Sequence, residues 1–273
     1  FHKPRENYCD TKAQLFARSR HCVANRDDEW FDRMCRKSTC PVLTTSVKGE
    51  AGLYAKDLTL LSDGIRFTAV SGKKEVLVSL SIPGKFTVYN ALTVLGMALQ
   101  LGIGLEEAAG ALATAQGVKG RVEVVPTPGK PYTILIDYAH TPDALVNILR
   151  SVREYTGNRL ICLFGCGGNR DSSKRPKMAA SAAEYADRLI VTSDNPRNED
   201  PIDIINDILV GLEGKDVPYD VVADRREAIY HALKIAEKGD VIVLAGKGHE
   251  EYEISRAGRR RFCEREIAVD AYE

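Results

Sequence analysis

Apolar positions follow one rhythm in the first half of this chain and another in the second. From Glu6 to Arg18, Tyr8, Leu15 and Phe16 offer one stripe of a helix, with Lys12 near the opposite side. His21 to Asn25 then reads as a short strand, Asp27 and Asp28 open a helix through Trp30 and Met34, and Pro41 to Val47 returns to extended chain. Between Leu53 and Ile82 the segments are β-rich and broken at Ser62-Asp63-Gly64 and Ser71-Gly72-Lys73, which predicts antiparallel hairpins decorating this αβ unit. An apolar helix over Ala91 to Leu101 follows the lead-in Pro83 to Asn90, with Asn90 the polar outlier at its start. A second helix covers Leu105 to Ala113.

Past Gln116 the glycines and prolines of Gly117, Gly120, Pro126, Pro128, Gly129 and Pro131 spell linker chemistry and predict a boundary near residue 124, dividing 1–123 from 124–273. Beyond it, short apolar runs alternate with helical ones. Strands are expected near Thr133 to Asp137, Arg159 to Phe164, Arg188 to Thr192, Asp220 to Val222 and Val241 to Ala245. Tyr252 to Ile254 and Arg261 to Phe262, flanking Ala257-Gly258, suggest a closing hairpin. The fold class is α/β: a doubly wound, mostly parallel, Rossmann-like second half after an α/β first half.

In such sheets ligands bind beyond the carboxyl ends of the strands, and the polar clusters here fall there. Asp137, Tyr138 and His140 follow one strand, Gly165 to Asp171 with Arg170 follow the next, Asp194-Asn195-Pro196-Arg197 the next, and Gly246-Lys247-Gly248-His249-Glu250 the last. Asp137 and His140 suit a nucleotide sugar. The glycine-rich turn, followed by Lys174 and Arg175, suits backbone approach to an anion. Pro196 separates two long polar side chains that could address one ligand, although capped solvent turns use the same residues.

Composition narrows the partners. Lysine plus arginine and aspartate plus glutamate are each 38 of 273 residues, so no global field favours nucleic acid or an anionic membrane. No apolar run approaches the roughly 20 residues of a membrane span, and a cytoplasmic monomer acting on small molecules is expected. Seven cysteines without paired CxxC spacing read as reduced thiols. His249 has no serine or cysteine nucleophile beside it in the pattern, which removes hydrolase triads. Asp27, Asp28, Glu123 and Asp137 could gather a hard cation.

Together, Tyr8 to Phe16, Pro83 to Asn90, Gly120 to Glu123, Asp137 to Asp143, Gly165 to Pro176, Asp194 to Arg197 and Gly246 to Glu250 resemble the Mur ligases in the family's order. The resemblance implies an ATP-dependent amide-bond ligase of peptidoglycan precursor synthesis, adding meso-diaminopimelate to UDP-MurNAc-L-Ala-D-Glu through an acyl phosphate. It implies Lys12 as a carbamylated magnesium ligand. By the same resemblance, Asn90, Arg121, Asp137 and His140 line the ATP site, and Arg170, Asp194, Asn195, Arg197, Gly246 and Glu250 bind the diamino acid. ATP and Mg²⁺ are the implied cofactors. No GxxxxGK[ST] loop occurs in the sequence, and Thr87 stands where the family usually has asparagine. The expectation is therefore a carboxyl-terminal portion that begins inside the central ATPase domain and does not turn over ATP alone. Two other readings stay open: a non-catalytic amino-acid-binding module, and a related ligase that adds lysine or glutamate.

Overall fold

The computed structural model describes residues 5–271. The chain divides into two compact units between Gln116 and Gly117. In the first, α1 (Arg5–Ala13), β1 (Cys22–Asn25), α2 (Phe31–Cys35) and β2 (Val42–Ser46) precede three long strands, β3 (Leu53–Leu61), β4 (Gly64–Ser71) and β5 (Lys74–Leu80). The helices α3 (Lys85–Gln100) and α4 (Leu105–Ala113) complete it. The five strands form one sheet in sequence order, parallel from β1 to β3 and antiparallel from β3 to β5. The hairpins therefore extend the αβ sheet instead of decorating it.

Two sequence expectations shift here. The α1 helix stops at Ala13 and gives way to a 3-10 turn at Phe16–Arg18; its buried residues are Cys9 and Ala13, while Tyr8 and Leu15 face solvent. Small residues spaced by four fill that contact, so the larger side chains did not mark the inward face. The α3 helix begins at Lys85, earlier than Ala91, because Thr87, Val88, Ala91, Leu92 and Leu95 already form one inward stripe. That stripe packs on Ile65, Phe67 and Val78 of the sheet.

The second unit runs β6 (Glu123–Val125), β7 (Thr133–Asp137), α5 (Pro142–Arg153), β8 (Leu160–Phe164), α6 (Lys174–Tyr185), β9 (Arg188–Val191), α7 (Pro201–Leu209), β10 (Tyr219–Val221), α8 (Arg225–Ile235) and β11 (Val241–Ala245). A hairpin of β12 (Tyr252–Ser255) and β13 (Gly258–Arg261) and the helix α9 (Glu264–Asp270) close it. The sheet order is β10-β9-β8-β11-β7-β6, parallel except for β6. That antiparallel edge lies where the prolines and glycines read as linker. Three residues between two turn-rich stretches carry too short an alternation to be seen.

Both faces of this sheet are covered, which is why its strands are continuous apolar runs. Along β11, Val241, Val243 and Ala245 join Leu149, Phe164 and Met178 on one face, while Ile242 and Leu244 join Ile134, Ile161 and Ile229 on the other. Thr141 caps α5 by accepting from the Ala144 N–H, and Asp200 caps α7 by accepting from the Ile202 N–H; proline follows each cap. In register, Ala245 stands beside Asp137, Leu244 beside Leu163 and Phe164 beside Val191. The loops leaving β7, β8, β9 and β11 therefore emerge along one edge.

Candidate active site

That edge holds a cavity of about 550 Å³ lined by residues of all four loops, among them His140, Arg170, Asp194, Asn195, Arg197, Gly246 and Glu250. Parallel strands with matched ends bring together residues more than a hundred positions apart. Arg170, Lys174 and Arg197 and the carboxylates of Asp171, Asp194 and Glu250 line the same space, an arrangement suited to a ligand with charges of both signs.

The loops are knit before any ligand arrives. The Gly168 N–H donates to the Asn195 carbonyl at 2.9 Å, and the Thr192 N–H to the Phe164 carbonyl at 3.0 Å. Arg197 has a left-handed backbone with φ 53°, and its N–H donates to the Ile254 carbonyl at 2.9 Å. Its Nη1 donates to the carbonyls of Gly168 and Asn195 at 3.0 and 3.2 Å. Nε and Nη2 have no partner among the described residues, so one edge of the guanidinium stays available as a paired donor. Arg170 is exposed at the cavity rim, likewise without a partner among the described residues.

Gly246 takes φ 118°, and a Cβ there would stand 2.8 Å from Asp194 Oδ2. Glycine thus leaves the Asp194 carboxylate free to face the cavity. Asn195 is 3% exposed, and both ends of its amide are engaged: Oδ1 accepts from Lys247 Nζ at 3.1 Å and from the Ile254 N–H at 2.9 Å, and Nδ2 donates to Glu250 Oε2 at 2.8 Å. Lys247, placed by the sequence in the last polar cluster but given no binding role there, is 0% exposed beneath the cavity. Burial pulls its ammonium below the usual lysine value. The tight glycine-flanked spacing of Gly246-Lys247-Gly248 was its only signal.

Beneath these loops Arg225 is buried against Glu264, Nε to Oε1 at 2.8 Å, and donates to the carbonyls of Ser193 and Ala245 at 3.2 and 2.9 Å. It joins the ends of β9 and β11. Burial pushes the Glu264 carboxyl upward, opposed by the attraction of Arg225.

Of the two basic residues after the glycine-rich turn, Lys174 lines the cavity and Arg175 does not. Arg175 is buried between Glu199 and Asp207, each at 2.8 Å, and Lys174 Nζ donates to the His140 carbonyl at 2.8 Å. Arg175 is neutralised by its own chain, whereas Lys174 keeps its charge at the cavity.

Of the residues expected beside ATP, Arg121, Asp137 and His140 lie together in this unit. The Arg121 guanidinium sits 5.2 Å from the Tyr138 ring centroid, and the His140 ring is 4.7 Å from that of Tyr138. Asp137 turns inward: its oxygens accept from the N–H groups of Val122 and Ala139, each at 2.9 Å. Burial raises its pKa, and these two N–H groups oppose the rise. Asn90 is exposed on α3 of the first unit, and Lys12 on α1, its Nζ 5.4 Å from the Tyr8 ring centroid. Lys12 lines a cavity of about 640 Å³ with Asn25, Asp28 and Trp30.

Each of the carboxylates expected to gather a cation is engaged within its own unit. Asp27 accepts from Ser46 Oγ and the N–H groups of Val47 and Lys48, Asp28 from the Trp30 N–H, and Glu123 from Arg265 and the Gly120 N–H. Among the described residues no three His, Cys, Asp or Glu side chains are grouped to hold a metal ion. All seven cysteines are free thiols, and no described helix is long and apolar enough to cross a membrane.

The profile of the Mur ligase middle domain matches residues 1–98, and that of the Mur ligase glutamate ligase domain matches residues 120–248. The chain belongs to the Mur ligase family. Among curated Mur ligases, it is 46% identical over 271 residues to the UDP-N-acetylmuramoyl-L-alanyl-D-glutamate–2,6-diaminopimelate ligase of Caldanaerobacter subterraneus subsp. tengcongensis, covering 99% of this chain and 56% of that protein. Against the enzyme of the same name from Syntrophomonas wolfei it is 41% identical over 276 residues, with the same coverage. A solved structure of a ligase of that name superposes with a TM-score of 0.79 at 34% identity, covering 99% of this chain and 57% of that one. The chain thus spans little more than half the length of its Mur ligase relatives. Mur ligases are ATP-dependent ligases, and the α/β fold expected from the sequence is the one observed.

Proposed function

We propose that this chain is the diamino-acid-holding part of an ATP-dependent ligase that adds meso-diaminopimelate to UDP-MurNAc-L-Ala-D-Glu through an acyl phosphate, in peptidoglycan precursor synthesis. The observation that carries the reading is the charge pattern of the second unit's cavity, where Arg170 and Arg197 face Asp194 and Glu250. meso-Diaminopimelate carries two carboxylates and two ammoniums, and each has a partner of opposite sign. Arg197, with Nε and Nη2 free, takes the distal carboxylate as a paired donor; Arg170 takes the other, and Glu250 the amine beside it. Lysine lacks the distal carboxylate and leaves the Arg197 fork unpaired.

Arg121, Tyr138 and His140 supply a cation and two rings on the nucleotide side of the same edge. ATP supplies the phosphoryl group that activates the acceptor carboxylate. Mg²⁺, the second implied cofactor, would be held chiefly by the phosphates of ATP and would offset their charge, the described residues grouping no three His, Cys, Asp or Glu side chains of their own. The role of Lys12 as a carbamate ligand rests on its family resemblance. The assignment of the first unit as a partial central domain and of the second as the amino-acid-binding domain belongs to this proposal, with the division between Gln116 and Gly117 instead of near residue 124, since Glu123–Val125 pairs with β7 of the second unit.

Titration calorimetry of the 273-residue chain tests the reading. meso-Diaminopimelate should bind at least about tenfold more tightly than L-lysine, the equivalent of one charge-assisted hydrogen bond. Equal affinity for the two, or no binding of either, would refute it.

A further inference from the structure

The orientation of the Asn195 amide is forced by what surrounds it. Lys247 Nζ and the Ile254 backbone N–H can only donate, and both lie within hydrogen-bond distance of the same Asn195 atom, which must therefore be the oxygen. The nitrogen is then turned toward Glu250 Oε2 at 2.8 Å. Lys247 is held in turn by the Tyr252 carbonyl at 2.8 Å and lies 5.5 Å from the Phe262 ring centroid, at 0% exposure. Its ammonium is 3.8 Å from Glu250 Oε2, too far for a direct hydrogen bond. Glu250 Oε1 has no partner among the described residues, and Glu250 lines the cavity. The chain of donors runs from a buried ammonium, through an amide, to one oxygen of a carboxylate whose other oxygen is free.

We propose that Lys247 is the positioning residue of the diamino-acid site: by donating to Asn195 Oδ1 it turns Asn195 Nδ2 toward Glu250 and aims the free oxygen of Glu250 at the ligand's ammonium. Lys247 does not touch the ligand. Without it, the Ile254 N–H alone holds the Asn195 oxygen, the amide can rotate, and Glu250 loses the donor that fixes one of its oxygens. This role rests on the diaminopimelate reading of the cavity and adds to it the residue that orders the amine-binding carboxylate.

The test has a ligand-free arm and a binding arm, both on the 273-residue chain. In the parent, the Asn195 side-chain amide protons should exchange slowly with solvent by NMR. In Lys247→Met that protection should disappear while the backbone amides of β8 and β11 keep theirs, and meso-diaminopimelate should bind about ten- to a hundredfold more weakly. Asn195→Asp keeps acceptors for Lys247 and Ile254 but sets a carboxylate against Glu250, and should weaken binding by at least about tenfold. Retained protection in Lys247→Met, unchanged affinity in either variant, or loss of strand protection in Lys247→Met would overturn the positioning role. A parent that binds no diaminopimelate, with the amide signature behaving as described, overturns the reading of the cavity and supports the Lys247–Asn195–Glu250 linkage.

Discussion

Arg197 Nη1 donates to the carbonyl oxygen of Gly168 at 3.0 Å, so the arginine after β9 is held by the glycine-rich loop after β8. The same bond fixes the guanidinium of a residue that lines the cavity, and two loops 29 residues apart act as one part.

Substituting Arg197 by alanine should weaken meso-diaminopimelate binding by roughly ten- to several-hundred-fold, since hydrogen bonds to charged groups contribute about 1.5–3 kcal/mol each. L-Lysine, with no distal carboxylate, should bind nearly as before. Calorimetry with both ligands checks the assignment, and an equal loss for both would point to a general collapse of the loop.

Gly168→Ala probes the loop itself. A Cβ at Gly168 would lie 1.9 Å from the Pro196 carbonyl oxygen, and that atom belongs to backbone that cannot swing aside. The expected outcome is a destabilisation of about 1–3 kcal/mol by urea denaturation, with a loss of diaminopimelate affinity larger than partial unfolding explains. Parent-like stability would mean that the two loops separate easily.

Arg225 and Glu264 form a buried pair, and removing one partner leaves the other charge without compensation. Arg225→Met should cost about 3–5 kcal/mol, whereas the double change Arg225→Met with Glu264→Met should recover part of that loss. A denaturation cycle over the four proteins measures the coupling; simple additivity would contradict the pairing.

Asp240 accepts from Arg159 Nη2 at 2.7 Å and from the N–H groups of Arg159 and Glu237 at 3.0 and 2.8 Å. Burial alone would push its carboxyl up, but Arg159 and these N–H groups together hold it below the usual aspartate value. A carboxyl depressed on folding stabilises fully above its unfolded pKa, near about pH 4, and loses that contribution as pH falls through the folded value. Asp240→Asn should therefore be less stable than the parent at pH 7, and the gap should narrow below about pH 4. Urea midpoints from pH 7 down to about pH 2.5 follow it; a gap constant with pH would remove Asp240 from the acid response.

The local pattern of residues determined the α/β class and the second unit's parallel strands, because a strand covered on both faces must be apolar at every position, as Leu160–Phe164 and Val241–Ala245 are. It also determined the helix starts at Pro142 and Pro201, since capping needs only neighbours in the chain. Antiparallel β6 needed the tertiary structure, because Glu123–Val125 becomes a strand only through pairing with β7. The tertiary structure alone decided which polar residues remain free. Arg175 and Arg197 look alike in sequence, yet Glu199 and Asp207 enclose the first, while the second keeps Nε and Nη2 unpaired. Lys247 reads as a loop cation, and it becomes a buried donor because Asn195, 52 residues away, folds over it. Burial and partnership over such distances are properties of packing, and no local spacing encodes them.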